Sequence, residues 1–366
     1  MAAAITAGSV GASEPVALIP AARCGECHGQ MELEWRGSAH ARADRSPLYQ
    51  AMRAAAGADC DRCHAPLRAL AGADPIAAEG VSCDVCHTID RVSVGSPGGA
   101  GFVLRIEDSV RYGPLCDALP HYFHTMGCSP LHKKAELCAA CHDLRVPLPS
   151  GERLAIYPEY GEWLAESGSD GPSCQSCHMP SARGEVAVGS PERPAVASHT
   201  FFGRGDLRRR ALSGRARIGQ RDGAWQIALA LTNSSAGHAV PTGLPERQLV
   251  VSIEALDAGG RVLARTERSY GRVLVDAAGR PAPFYAAVRQ LADFRIRPGE
   301  TLEDSFTLRS PEAARLRVLV VWRPIAPALA AQLGVVPPPD EPMLSASAPL
   351  PALSRRAADS LVELAP

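Results

Sequence analysis

Two patterns of apolar and polar positions divide the chain near residue 205. Before that point Gly, Pro and polar residues frequently interrupt the apolar stretches, which predicts short helices joined by loops. After it, apolar and polar residues alternate with a period of two, as in half-buried β-strands. The alternating runs cover residues 225–232, 249–256, 262–265, 271–275, 294–296, 301–308 and 315–322.

Turn signals such as Gly-Gly at 259–260 and Pro-Gly at 298–299 separate these runs. Several short strands at this spacing predict an antiparallel β-sandwich, immunoglobulin-like in the broad sense, although a small barrel would give the same pattern. We therefore expect an α+β chain of several parts. They are an export signal and linker at 1–20, short helices and loops at 21–205, the β-sandwich at 215–330, and a Pro-rich tail at 335–366 with a short helix at 355–364.

The composition narrows the classes of protein to which the chain can belong. With 38 basic and 39 acidic residues the formal net charge is −1, which excludes a strongly basic nucleic-acid-binding protein. Apolar residues at 46% and charged residues at 21% exclude a disordered chain, and no apolar stretch is long enough for a membrane span. Aromatic residues, at 5%, are few for a protein with several cores, and cysteine is frequent at twelve.

Ten of the twelve cysteines fall into five copies of the pattern Cys-x-x-Cys-His. This is the attachment signature of c-type haem, in which both cysteines form thioethers to the porphyrin and the histidine binds the iron. Zinc sites, redox dithiols and a disulfide framework are the alternatives, but none requires that histidine, and five clusters do not pair into four-ligand zinc sites. We predict five covalently bound c-type haems, held by Cys24, Cys27 and His28; Cys60, Cys63 and His64; Cys83, Cys86 and His87; Cys138, Cys141 and His142; and Cys174, Cys177 and His178.

The five motifs lie between residues 24 and 178, about 31 residues for each motif. A stretch this short cannot build an ordinary polypeptide core around every haem. We therefore expect the porphyrins themselves to supply the apolar filling, which accounts for the low aromatic content.

Six histidines lie outside the motifs, and five irons need five further ligands if each is six-coordinate. His121 and His124 are three residues apart and would share one face of a helical turn, and we favour His124 as the ligand. Methionine ligation is the alternative for individual haems, but the supply of histidine makes it unnecessary. The predicted second iron ligands are His40, His124, His132, His199 and, in a loop after residue 205, His238.

Cys116 and Cys128 are left over from the motifs. Thioether attachment takes place outside the cytoplasmic membrane, where disulfides also form, so we predict a disulfide between them, with two buried thiols as the alternative. The same chemistry requires export to the periplasm or the extracellular space. The apolar stretch at 2–10 is short and lacks a positively charged beginning, so we interpret it as an incomplete export signal.

The motifs and their surroundings resemble the cytochrome c-552/c-554 family of multihaem cytochromes. The matching segments are residues 24–28, 34–40, 79–87 and 174–180, and, for a β-domain appended to some of these proteins, 237–243. The resemblance covers about residues 20–250 and implies that His40, His132 and His199 are distal ligands. The segment between Cys116 and Cys128 departs from the family pattern.

If every iron is six-coordinate, no haem is open to bind and activate a small molecule. We therefore expect an electron carrier between redox proteins rather than an enzyme. The enzyme alternative, a reductase or oxidase of a small nitrogen or sulfur species, needs one five-coordinate iron with acid–base groups above it. A further alternative is self-association into a filament of stacked haems.

Overall fold

The computed structural model describes residues 18–57, 60–72, 74–95, 101–106, 109–118, 121–201, 205–350 and 360–366. Apart from residues 18–20, the predicted export signal lies outside the described residues. The chain divides into two compact units. The first contains Met1–Pro147, Ala155–Gly203 and Leu333–Val335, and the second contains Leu148–Leu154, Arg204–Gln332 and Val336–Pro366. The expected α+β class is confirmed, with short helices in the first unit and antiparallel sheets in the second.

The helices of the first unit are short because stop signals follow one another closely along this part of the chain. The helix Pro47–Ala56, for example, has Pro at its first position and ends at Gly57, whose φ of 59° suits a residue without a side chain. Within the described residues, no helix is long and apolar enough to cross a membrane. The α-helices are α1 (Ala21–Gly25), α2 (Gly29–Gly37), α3 (Pro47–Ala56), α4 (Asp61–His64), α5 (Arg68–Ala71), α6 (Cys83–His87), α7 (Glu136–His142), α8 (Glu159–Ser167) and α9 (Cys174–His178), and 3-10 turns lie at His40–Arg42, Pro75–Ala78 and Pro130–Lys133.

Two-stranded sheets occupy the intervals between these helices. They are formed by β1 (Ile89–Ser93) with β2 (Gly101–Leu104), β3 (Val110–Gly113) with β4 (Thr125–Cys128), β5 (Leu144–Pro147) with β6 (Arg153–Tyr157), and β7 (Ser181–Gly184) with β8 (Arg193–Ala197). Strands β3 and β4 are parallel, with Val110 opposite Thr125 and Gly113 opposite Cys128. A disulfide between Cys116 and Cys128 closes the connection between them.

The second unit is built from two sheets whose strand pairs are all antiparallel. Its elements are α10 (Asp206–Ala211), β9 (Leu212–Arg221), β10 (Ala224–Asn233), β11 (Gln248–Leu256), β12 (Val262–Val275), β13 (Arg289–Asp293), β14 (Thr301–Leu308), β15 (Arg315–Arg323), α11 (Pro327–Gln332), β16 (Glu341–Pro349) and β17 (Ser360–Leu364). One sheet has the strand order β14-β10-β9-β17 and the other has the order β13-β12-β11-β15-β16.

Both sheets bury their apolar faces in one core. Ile227 and Leu231 of β10 belong to it together with Ile253 of β11 and Val320 of β15, and all four side chains are fully buried. Burial of one such side chain contributes about 1.5–3 kcal/mol to stability. The second unit is therefore held by ordinary hydrophobic packing, in contrast to the small separate clusters of the first.

The C-terminal segment differs from the sequence prediction of a Pro-rich tail with a short helix at 355–364. Glu341–Pro349 forms β16 and Ser360–Leu364 forms β17, while the first residues of the predicted helix lie outside the described part of the chain. Strand β17 pairs with β9, a strand that the alternation also failed to reveal, and Leu364 becomes part of the core. A strand that depends on a distant partner has no strong local signal, which is why the helical propensity was misleading here.

Candidate functional site

Each Cys-x-x-Cys-His motif coincides with a turn of helix. In four motifs the histidine is the last residue of α4, α6, α7 or α9, and in the first motif His28 directly precedes α2. One helical turn brings residues three and four positions apart to the same face. The two thiols and the imidazole of each motif are therefore neighbours, as attachment of one flat cofactor requires.

Thiols of different motifs also lie against one another. The interacting pairs are Cys24 with Cys83, Cys63 with Cys141, and Cys138 with Cys174, which join the first motif to the third, the second to the fourth, and the fourth to the fifth. Cys86 of the third motif acts electrostatically on both cysteines of the fourth. A neighbouring thiol and burial raise the pKa of Cys138 and of Cys141 well above the ordinary value. The five motifs therefore form one connected cluster.

Three motif histidines face a second histidine at nearly the same distance. The ring centres are 6.3 Å apart for His28 and His124, 6.4 Å for His142 and His40, and 6.3 Å for His87 and His199. Two imidazoles bound to opposite sides of one metal at about 2 Å each have ring centres about 6 Å apart. The residues present therefore fit an iron between the members of each pair.

His132 lies beside the third motif in a different arrangement. Its ring centre is 5.4 Å from that of His87, and its Nε2 is 3.2 Å from the carbonyl oxygen of Cys86. Its Nδ1 is buried without a hydrogen-bond partner. Burial, followed by the charge of His87, lowers the pKa of His132 to about 4. That His132 binds an iron stays a prediction.

Three of the motif histidines are oriented by main-chain carbonyl groups. The distances from Nδ1 to the carbonyl oxygen are 2.6 Å for His28 and Val186, 3.1 Å for His64 and Ala43, and 2.6 Å for His87 and Tyr112. A carbonyl oxygen only accepts hydrogen bonds, so each of these rings carries its proton on Nδ1 and has an unprotonated Nε2, which is the form of that nitrogen that binds a metal. Metal-binding histidines generally have such a partner on the second nitrogen.

The same carbonyl contact recurs at predicted second ligands. The Nδ1 atoms lie 3.4 Å from the oxygen of Thr125 for His124, 3.1 Å from that of Ala197 for His199, and 3.3 Å from that of Ala239 for His238. Burial lowers the pKa of His199, to about 4, and also lowers that of His124. Both rings are thus neutral near pH 7, which is the form that binds a metal.

His40 is fixed through its main chain. Its carbonyl oxygen accepts a hydrogen bond from the N–H of Val81 at 3.0 Å, and Gly80, with a φ of 67°, has no room for a side chain because a Cβ would clash with that oxygen. Burial, with the charges of three neighbouring histidines, lowers the pKa of His40 to about 3. The ring that faces His142 is therefore neutral.

The surroundings of the motif histidines differ from one motif to the next. Burial alone would lower the pKa of His142, but the carboxylate of Glu159, with Oε2 3.9 Å from Nδ1, raises it. His64 stacks on Tyr49 with ring centres 4.1 Å apart, and the hydroxyl of Tyr157 lies 3.4 Å from its Nε2. A carboxylate partner makes an imidazole a stronger ligand, so the sites are chemically distinct.

His121 and His124 do not lie on the helical turn that the sequence suggested. Residues 121–124 are irregular and lead directly into β4. The Nδ1 of His121 accepts a hydrogen bond from the N–H of Phe123 at 3.2 Å, and its ring stacks on Tyr122 with centres 4.4 Å apart. His124 faces His28, whereas the contacts of His121 are local.

Sequence reasoning missed the residues that hold the histidines in place. Glu34 accepts a hydrogen bond from the N–H of His199 at 2.6 Å, and the carbonyl groups of Tyr112 and Val186 orient two motif histidines. Main-chain contacts leave no trace in the sequence. Acidic residues inside the motifs, such as Asp61 and Asp84, were an available signal, since such a charge needs a partner when buried.

His178 and His238 stay predictions as iron ligands. His178 ends α9 in the first unit and acts electrostatically on His40. His238 belongs to the second unit, in the loop between β10 and β11. Its carbonyl oxygen accepts a hydrogen bond from the amide of Asn233 at 2.9 Å.

Comparison with solved structures supplies an independent view of the fold. The penta-heme cytochrome c552 from Thermochromatium tepidum has a matching structure with a TM-score of 0.72 and 23% sequence identity, over 92% of this chain and 100% of that one. The two proteins share a fold. The expected resemblance to multihaem cytochromes with an added β-sheet region is thereby confirmed at the level of architecture.

A second solved structure resembles only part of the chain, and weakly. A beta-glucuronidase from glycoside hydrolase family 2 matches over 37% of this chain and 11% of its own, with 9% identity and a TM-score of 0.18, and this weak likeness carries no argument. No protein-family model matches the chain, and no curated protein matches it.

Proposed function

We propose that the chain is a multihaem c-type cytochrome that carries electrons between redox proteins. The observation that carries this proposal is the set of three facing histidine pairs, each with one member from a Cys-x-x-Cys-His motif and ring centres 6.3–6.4 Å apart. A fold shared with a penta-heme cytochrome supports it. A c-type haem supplies one-electron chemistry at its iron.

The residues of this chain would bind and orient five such groups. The ten motif cysteines would form the covalent attachments, and the five motif histidines would each bind one iron. His124, His40 and His199 are the second ligands at the first, fourth and third motifs. His132 and His238 would complete the set, and the carbonyl and carboxylate partners of the rings would hold the proton of each neutral ring on Nδ1, so that Nε2 is the nitrogen that binds iron.

In this proposal, electrons pass between motifs whose cysteines are in contact. Adjacency runs from the first motif to the third, from the third to the fourth, and from the fourth to both the second and the fifth. A connected set of centres would pass electrons from one motif to the next. An isolated active-site haem would not need this arrangement.

The second unit is proposed to be an immunoglobulin-like sandwich. In that fold one sheet contains strands A, B, E and D, and the other contains C, F and G, with C′ and C″ added beyond C in the variable type. Within the described residues, no strand pairs with β14 at the position of D. Here β9, β10 and β14 correspond to A, B and E, and the order β13-β12-β11-β15-β16 corresponds to C″-C′-C-F-G. Strand β17 is an addition beside β9.

Thioether formation assigns the protein to the periplasm or the extracellular space, because haem attachment of this kind occurs outside the cytoplasmic membrane. Its partners are then other exported redox proteins. With two ionised propionates on each of five ferric haems, the net charge falls to about −6, so basic docking faces are expected on those partners.

The test is to produce the exported protein in a host that matures c-type cytochromes, and to count haems by mass and by haemochrome absorbance. Five covalent haems, all low-spin by electron paramagnetic resonance, with an unchanged Soret band after CO is added to the reduced protein, are expected. Fewer than five covalent haems would contradict the proposed cofactor content. A stoichiometric CO-induced shift would contradict the carrier and favour an enzyme with an open haem.

A further inference from the structure

A buried ion pair lies at the third motif. The carboxylate of Asp84, with only 1% of its side chain exposed, accepts hydrogen bonds from Nε of Arg111 at 2.6 Å and from Nη2 at 2.8 Å. The N–H of Ile19 donates a third, at 2.6 Å. The Arg111 side chain is itself 9% exposed. Both charges are therefore held in fixed geometry away from solvent.

The pair is connected to the ligands of two motifs. Asp84 lies within α6, whose last residue is His87, and Arg111 precedes Tyr112, whose carbonyl oxygen accepts the hydrogen bond from His87. Strand β3, which carries Arg111, pairs with β4, and β4 begins directly after His124. The ion pair thus lies beside the third motif and close to the first.

The position of Asp84 is unusual among the motifs. Directly after the first cysteine, the first, fourth and fifth motifs have Gly25, Ala139 and Gln175, which are uncharged. The second motif has Asp61, but that carboxylate is 20% exposed and shares two arginines and a tyrosine hydroxyl. The third motif therefore has the most buried charge beside its cysteine.

Fixed charges in a buried place act strongly because solvent does not screen them. An oxidised haem iron carries one more positive charge than a reduced one. A buried carboxylate favours the oxidised state, whereas a buried guanidinium favours the reduced state. With both present the two effects largely cancel, and the balance between them determines the potential.

We propose that Asp84 and Arg111 together set the reduction potential of the haem attached at the third motif, with a smaller effect at the first. The inference rests on the proposed function, since it requires haem at these motifs. It assigns strand β3, which carries Arg111 and pairs with β4 directly after His124, a role in tuning electron transfer.

The test compares Arg111→Gln, Asp84→Asn and the double variant by spectroelectrochemical titration of the haem-loaded protein at pH 8. We expect Arg111→Gln to shift the reduction equilibrium of one haem about tenfold toward the oxidised state, about 59 mV for one electron. Asp84→Asn shifts it in the opposite direction, and the double variant returns it close to the original value.

Two further variants separate charge from structure. Arg111→Lys keeps the positive charge without the two-point hydrogen bond, and its potential stays near that of the unaltered protein. Arg193→Gln removes an ion pair with Asp117, which is 73% exposed and belongs to the disulfide-closed segment, and no potential moves. Shifts of the same sign in Arg111→Gln and Asp84→Asn, or none in either, would overturn the inference.

The unaltered protein serves to distinguish failure of the proposed function from failure of the proposed role of the ion pair. If fewer than five haems are covalently bound, the proposed cofactor content fails, and if CO shifts the Soret band of the reduced protein, the proposed carrier function fails. If five are bound and the opposite shifts do not occur, only the role of the ion pair fails.

Discussion

The side chain of Asn233, which is 1% exposed, makes three hydrogen bonds that help to hold the loop that carries His238. Its amide donates to the carbonyl oxygens of His238 at 2.9 Å and Ile296 at 3.1 Å, and its Oδ1 accepts from the N–H of Ala236 at 3.1 Å. Asn233→Ala removes all three hydrogen bonds at once. A buried hydrogen bond contributes about 1 kcal/mol, so the loop should lose about 3 kcal/mol of local stability.

Hydrogen exchange measures this loss directly. At about 1.4 kcal/mol for each factor of ten, the loop should open ~100 times more often, and the amide of Ala236 should exchange faster by that factor. The matched control is Ser235→Ala in the same loop, which removes an exposed hydrogen bond to the carbonyl oxygen of Arg210 and should change exchange by less than threefold. If exchange in Asn233→Ala resembles that in Ser235→Ala, the side chain does not hold the loop.

Three other expectations follow from the same contacts. His238→Ala should convert one haem from low-spin to high-spin by electron paramagnetic resonance, and a fully low-spin spectrum would show that this histidine is no ligand. Cys128→Ser should destabilise the disulfide-closed segment by about 3 kcal/mol and produce a high-spin fraction through loss of His124, whereas an unchanged spectrum and melting temperature would argue against that role. Burial raises the pKa of Asp304, but hydrogen bonds from Tyr270 and an arginine lower it by more, so the pKa in the folded protein is below the ordinary value. The stability that the Asp304 carboxylate adds is therefore present above about pH 4 and is lost as the pH falls through the pKa of the folded protein. Asp304→Asn should therefore lower the melting temperature more at pH 7 than at pH 2, and an equal loss at both would rule out this linkage.

The sequence allowed the motifs to be found because each is local. Cys83 to His87 fit within one helical turn, so five consecutive residues contain the whole attachment pattern. The alternating runs of the second unit were equally informative, since β10 and β14 bury every second residue at least in part. The period of apolar residues and the spacing of motif residues within one helix or strand can be recognised directly in the sequence.

Contacts between residues that are far apart in the sequence could not be predicted from such local patterns. The pairing of His28 with His124, and of Asp84 with Arg111, joins residues far apart that no local pattern connects. Strand β17 was missed for a related reason, because its conformation depends on β9 rather than on its own propensity. Which motif lies next to which other motif likewise depends on contacts between distant residues, so the sequence did not predict it.

The three facing histidine pairs also have a consequence for the order in which the molecule can form. In each pair the two rings are about 100 residues apart along the chain. When the chain emerges with its N-terminus first, His28 and His87 are exposed well before His124 and His199. The pairs of His28 and His87 therefore cannot form until their partners have emerged, and the last of the three pairs can form only after the segment near residue 200 is available.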